Sequence, residues 1–162
     1  MVLDSRDCIL FVLLHAILKP PVVGVGKKGG KKSKWKPSII DSQESSILYC
    51  ISPSNYITKV DKLKLKYLEK GLTFQPVIIV IGEQKVKLQY FYVHYDGILY
   101  KFTSFLKCLD IVFKLFHVMN FEYPVEGKNV YNFIEHFFYK FKTDKNANVT
   151  GILEYLKSEI SL

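Results

Sequence analysis

SILYCISPSNYITKVDKLKLKYLEKGLTFQPVIIVIG, from Ser46 to Gly82, carries a strand–helix–strand signature, and its reading decides the fold. Ser46–Ile51 is short, apolar and rich in residues that favour a pleated surface. Ser52-Pro53 supplies a hydroxyl N-cap followed by proline at the first helical position. Tyr56, Val60, Leu63 and Tyr67 recur at helical spacing up to Lys70, and Gly71 is placed to close the helix in a left-handed conformation. Pro76–Gly82 has no polar alternation, which suits a central strand buried on both faces.

Downstream, Val86–Tyr95 predicts another strand. Asp96-Gly97 is a dipeptide that two-residue type I′ turns favour, so Ile98–Phe102 should pair back. Three helices follow. Ser104–Asn120 sets Phe105, Leu109, Val112, Phe116 and Met119 on one stripe, while Ile111, Leu115 and Val118 widen it, predicting a helix sandwiched between layers. Lys128–Lys142 places Val130, Phe133, Ile134, Phe137, Phe138 and Phe141 at helical spacing, and Thr150–Ile160 does so with Ile152, Leu153, Leu156 and Ile160. The expected architecture is α+β: a small mixed β-sheet, made of one β-α-β unit plus a hairpin, packed against three C-terminal helices. Seventeen of the 24 aromatic residues fall between Tyr90 and Phe141, so the core is expected to centre there.

Upstream the composition changes. Seven lysines and no acidic residue lie between Lys19 and Lys36, so a net charge of +8 is almost wholly local. Cys8–Leu18 (CILFVLLHAIL) is shorter than the roughly 20 residues a membrane span requires. Its acidic flank and the lack of a small-x-small cleavage site argue for a short buried or interfacial helix over a signal peptide. Pro20-Pro21 ends that segment, and glycines interleaved with lysines then read as a flexible, solvated linker. The expected organisation is therefore residues 1–37 as an apolar segment plus a flexible Lys/Gly-rich basic tail, and residues 38–162 as a single α+β globular domain.

Residue patterns for chemistry are sparse. Gly24-Val25-Gly26-Lys27-Lys28-Gly29 matches the spacing of a dinucleotide loop, but no amphipathic helix can open at Lys31–Pro37. Cys8, Cys50 and Cys108 are widely spaced and odd in number, which supports neither a disulfide framework nor a zinc site and favours reduced thiols. His15, His94, His117 and His136 occupy four separate elements without metal-ligand spacing. Cys108 and His117 fall on opposite faces of one helix, and Asp110 and His117 lie two turns apart, too far for a hydrogen bond. A pairing of distant residues such as Cys50 with His136 stays open. Asn148-Val149-Thr150 reads as a helix N-cap rather than a glycosylation site. No catalytic, metal-binding or cofactor-binding residue is assigned, and no cofactor is expected.

Three segments carry a resemblance: Gln75–Gly82 (QPVIIVIG), Tyr95–Pro124 (YDGILYKFTSFLKCLDIVFKLFHVMNFEYP) and Val130–Phe141 (VYNFIEHFFYKF). Together they resemble the C-terminal domain of multicopy animal proteins whose copy number implies a link to mobile elements. The likeness covers about half the chain, rests on hydrophobic pattern and leaves out residues 1–37. It implies no activity, so no functional residue is carried over.

Two functional readings follow. The first is a non-enzymatic interaction module, self-associating or docking a protein partner through aromatic surface at Tyr131 and Tyr139, in a mobile-element-related or nuclear protein. The second is a nucleic-acid-binding protein. Its basic tract, Lys27, Lys28, Lys31, Lys32, Lys34, Trp35 and Lys36, would make sequence-independent phosphate contacts or meet an import receptor. Either reading places the protein inside the cell, in nucleus or cytoplasm, without a transmembrane span.

Overall fold

The computed structural model describes residues 3–28, 31–140 and 147–160. Among them the helices are α1 (Leu3–Ile17), α2 (Ile39–Glu44), α3 (Asn55–Glu69), α4 (Phe105–Val118), α5 (Lys128–Phe137) and α6 (Ala147–Ile160). The strands are β1 (Val23–Lys28), β2 (Lys31–Trp35), β3 (Ile47–Cys50), β4 (Val77–Ile81), β5 (Tyr90–Tyr95) and β6 (Ile98–Phe102). The fold is α+β.

β4 organises the molecule. It pairs parallel to β3 on one side and antiparallel to β5 on the other, and β6 extends the sheet in the order β3-β4-β5-β6. Every residue of β4 is buried because strands flank it and helices cover both faces. Val77, Ile79 and Ile81 meet Val60, Leu63 and Tyr67 of α3. Ile78 and Val80 face the opposite way, into a larger core shared with Phe11 of α1, Phe105 and Val112 of α4, and Val130 of α5. The β3–α3–β4 unit and the β5–β6 hairpin thus form as the sequence predicts, although β5 begins at Tyr90 rather than at Val86. Asp96 and Gly97 take φ 50° and 78°, the left-handed pair that a type I′ turn needs, and Gly71 takes φ 64° after α3.

Several expectations need correction. α3 begins at Asn55 rather than at Pro53, with Ser54 at its N-cap position and Ser52 hydrogen-bonded to Asn55 in the preceding turn. α4 is not sandwiched all round: Cys108 and Phe113 are buried beside the predicted stripe, while Leu106, Val118 and Met119 are exposed. α5 ends at Phe137, ahead of the left-handed Lys140 at φ 59°. Phe141 lies outside the described residues. Asn148 and Thr150 sit inside α6 and do not cap it.

The largest correction concerns residues 1–37. Beyond its charged first turns, α1 runs almost wholly apolar from Cys8 to Ile17, and Cys8, Phe11 and Leu18 belong to the same core as the sheet. The core therefore does not begin at residue 38. In place of the expected linker, the described residues of the glycine–lysine tract form the antiparallel β1–β2 hairpin, with Val23 opposite Trp35 and Gly24 opposite Lys34. Between hairpin and sheet, α2 forms where no helix was predicted, started by a reciprocal cap. The Asp41 N–H donates to Ser38 Oγ at 3.0 Å, and the Ser38 N–H donates to the Asp41 carboxylate at 2.7 Å.

Candidate functional site

The basic tract acquires a shape and a neighbour. Register places Lys27 opposite Lys32 and Lys28 opposite Lys31 in the hairpin. Beyond it, Lys34 and Lys36 are exposed and Trp35 is half-buried. Trp35 turns to α3: Lys66 Nζ lies 5.5 Å and Lys70 Nζ 4.6 Å from its ring centroid, within cation–π range.

That contact joins two lysine-rich segments that are remote in sequence. α3 contributes Lys59, Lys62, Lys64 and Lys66, with Lys70 at its C-cap, against Asp61 and Glu69. Lysines in the last turn also complement the negative end of the helix dipole. Lys66 is held in place by a 2.6 Å ion pair with Asp41. Burial opposes ionisation of the Asp41 carboxyl, but the bonds from Lys66 and Ser38 outweigh it and hold its pKa below the usual carboxylate value. Asp41 therefore fixes one lysine beside Trp35, while among the described residues Lys70 has no ion pair.

The aromatic surface expected at Tyr131 and Tyr139 is not present as such. Tyr131 is fully buried, stacked on Tyr123 with centroids 5.0 Å apart and edge-on to Phe116 at 5.0 Å. The helical stripe does not mark the buried side here, because α5 is buried around its whole circumference from Asn129 to His136. Tyr139 is half-buried, stacks on Phe113 at 3.9 Å and donates a 2.7 Å hydrogen bond to Asp110. It closes the joint between α4 and α5 rather than presenting itself to a partner.

A second polar constellation was invisible in the sequence. His15 Nδ1 lies 2.7 Å from Ser42 Oγ, and both residues are fully buried. Ser45 Oγ donates to the Ser42 carbonyl at 2.7 Å and lies 3.4 Å from Ser46 Oγ. The Tyr67 hydroxyl donates to Glu126 Oε2 at 2.9 Å from the other side of the sheet's edge. A Cβ on Gly127 would come within 3.1 Å of both Ser45 Oγ and Ser46 Oγ, and 3.6 Å of His15 Cε1, so only glycine fits this junction without adjustment. His15 Nε2, Glu126 Oε1 and the Tyr131 hydroxyl find no partner among the described residues. Burial pushes His15 down to about 4, so its imidazole is neutral near pH 7, and burial also raises Glu126 above the ordinary carboxyl value. The His15–Ser42 distance is that of a base and its nucleophile, but both side chains are sealed from solvent. The cluster ties α1 to α2 and to the start of α5. The serines between Ser38 and Ser46 were its sequence signal, with nothing to indicate that His15 would reach them.

The other proposed chemical pairs stay apart. Cys50 packs against α3, whereas His136 belongs to α5 on the opposite side of the sheet. Cys8 and Cys108 are buried thiols, pushed up to about 12 chiefly by burial, and all three cysteines are free. Among the described residues no group of three or more His, Cys, Asp or Glu side chains could hold a metal ion. Among those residues no helix is long and apolar enough to cross a membrane. Comparison with protein-family models, curated proteins and solved structures gives no match to this chain.

Proposed function

We propose that this protein is a non-enzymatic nucleic-acid-binding module that contacts phosphates with a composite basic surface, the β1–β2 hairpin joined to the lysine-bearing side of α3. The observation that carries this reading is Trp35, set against Lys66 and Lys70, which brings the end of the hairpin beside the lysines of α3. A positioned basic surface beside a half-exposed indole suits sequence-independent binding: lysines neutralise phosphates and an aromatic face accepts a base. Such a module belongs in the nucleus or cytoplasm, where nucleic acid and reduced thiols coexist.

The test is fluorescence anisotropy of a labelled single strand and a labelled duplex at two salt concentrations. Wild type is compared with a variant in which Lys31, Lys32, Lys34 and Lys36 are alanine. On duplex DNA each neutralised phosphate adds about −0.9 to the log–log salt slope, and about −0.7 on a single strand. The variant is expected to bind at least tenfold more weakly with a shallower slope. Salt-independent binding, or equal binding by both proteins, would sink the proposal.

A further inference from the structure

We propose that the outer edge of β3 is a docking site for an extended peptide strand that alternates apolar and acidic residues, with its apolar side chains turned into the cleft between α1 and α2. β3 stands at the end of the sheet, with β4 as its only strand neighbour among the described residues. The Ile78 N–H donates to the Ser46 carbonyl at 3.0 Å and the Gly82 N–H to the Cys50 carbonyl at 3.1 Å, so the even-numbered residues of this segment face β4. In a parallel ladder the main-chain groups alternate sides, which turns those of Ile47 and Tyr49 outward. Among the described residues, the N–H and C=O of Ile47 and the N–H of Tyr49 make no backbone hydrogen bond outside the β3–β4 ladder, from which the register turns them away. The Tyr49 carbonyl takes only the exposed Lys59 ammonium, at 2.7 Å. An edge that offers two donors and an acceptor in register is a template for another strand.

Clefts flank this edge on both faces, as recognition of alternate side chains requires. On the α1/α2 side a cleft of about 400 Å³ is lined by Val12, Leu13, Ile40, Ile47 and Val80 among others. Its rim carries Lys59 and Lys85 against the single carboxylate of Glu44. Lys85 Nζ also lies 5.7 Å from the Tyr49 ring centroid, which puts positive charge directly beside the edge. On the α3 side a second cleft, also about 400 Å³, is lined by Leu48, Lys59, Lys62 and Leu63 together with Glu44 and Glu69. The apolar pocket sets the partner's apolar residues, and the lysines on either side set acidic ones between them. Lys59, Lys62 and Lys66 of α3 line the second cleft and also belong to the proposed nucleic-acid surface, but the β3 edge and the α1/α2 cleft wall do not, so the strand-docking proposal stands apart from nucleic-acid binding.

The probe is Ac-Glu-Val-Glu-Val-Glu-Val-NH2, titrated into the ¹⁵N-labelled full chain to about 1 mM, where even a weak contact of millimolar affinity registers. The Ile47 and Tyr49 amide resonances are expected to shift and their hydrogen exchange to slow about tenfold. The same peptide, N-methylated at alternate amides on its pairing edge, is expected to bind at least tenfold more weakly. Leu13→Arg, at an exposed position of the cleft wall, is expected to weaken binding by a similar factor without disturbing the core. Absence of shifts, equal binding by the N-methylated peptide, or shifts confined to Ile98–Phe102 at the opposite edge would each overturn the proposal.

Discussion

His15 couples burial to pH. With its pKa pushed down to about 4 by burial, the folded chain refuses a proton that the unfolded chain accepts near pH 6.5. Between those values the unfolded state binds more protons, so stability rises with pH across the window and is lost as pH falls through it. The loss between pH 7 and pH 5 amounts to roughly 2 kcal/mol. His94, lowered by burial and by Lys64, acts in the same direction. Glu126, raised chiefly by burial, acts oppositely: its contribution is present below the ordinary carboxyl pKa and disappears as pH rises through its folded value. Urea melts at the two pH values isolate His15 when wild type is set against His15→Gln. Wild type is expected to lose about 2 kcal/mol more than the variant, and equal losses would contradict a neutral, buried imidazole. Two glycines show how different physics yields similar penalties. Gly127→Ala meets two hydroxyls at 3.1 Å with a backbone that tolerates alanine, so crowding alone should cost about 1–3 kcal/mol. Gly71→Ala meets nothing within 4 Å, yet its φ of 64° should cost about 1 kcal/mol through left-handed strain. Denaturant midpoints measure both.

At the scale of elements, what the sequence reveals depends on how local the cause is. β4 is legible from an unbroken apolar run, and the β5–β6 hairpin from Asp96-Gly97, because each signal lies within the element it specifies. α2 rests on the Ser38–Asp41 cap, a local signal, but six residues make too weak a periodic pattern to mark a helix. The β1–β2 hairpin alternates apolar residues only at Val23 and Val25, between glycines, and its visible anchor, Trp35, finds its partners on α3. Composition can report charge there but not shape. The same non-local logic defeated the reading of Tyr131, whose cover comes from Tyr123 and Phe116 rather than from its own helix. The anchor is testable. Each exposed cation–π contact contributes about 0.5–1 kcal/mol, so Trp35→Ala should loosen the hairpin without unfolding the sheet. Trypsin is expected to cut between residues 27 and 36 several times faster in that variant. Nucleic-acid affinity should fall although no lysine is removed. Unchanged cleavage would mean that the indole does not hold the hairpin to α3.

Over the whole molecule, the decisive question is whether the first 37 residues are an appendage or part of the core. Charge and glycine content made them look separable, because they report what a segment presents to water and not what it packs against. Phe11 and Leu18 are buried in the main core, with Cys8 beside them, and Phe11 meets Phe105 with centroids 5.6 Å apart. Polar bonds tie the same segment to distant elements. The Leu88 N–H donates to Ser5 Oγ at 3.0 Å, the Phe105 N–H to Asp4 at 3.2 Å, and Asn129 Nδ2 to the Lys19 carbonyl at 2.7 Å. Removing residues 1–37 would uncover one side of Phe105 and leave Ser42 without His15. Burial of each large apolar side chain is worth about 1.5–3 kcal/mol, and a whole domain is stable by only about 5–15 kcal/mol. A chain beginning at Ser38 is therefore expected to lose cooperative thermal unfolding and to bind a hydrophobic dye at 25 °C, even though its sheet residues are intact. Calorimetry of both chains decides the matter. A sharp transition in the shortened chain, at an unchanged midpoint, would make α1 an ornament on the fold; a broad or absent one makes it a wall of the core. In the second case nucleic-acid binding must be compared between point variants of the full chain, because deleting the basic tract would also remove the helix that keeps the sheet covered.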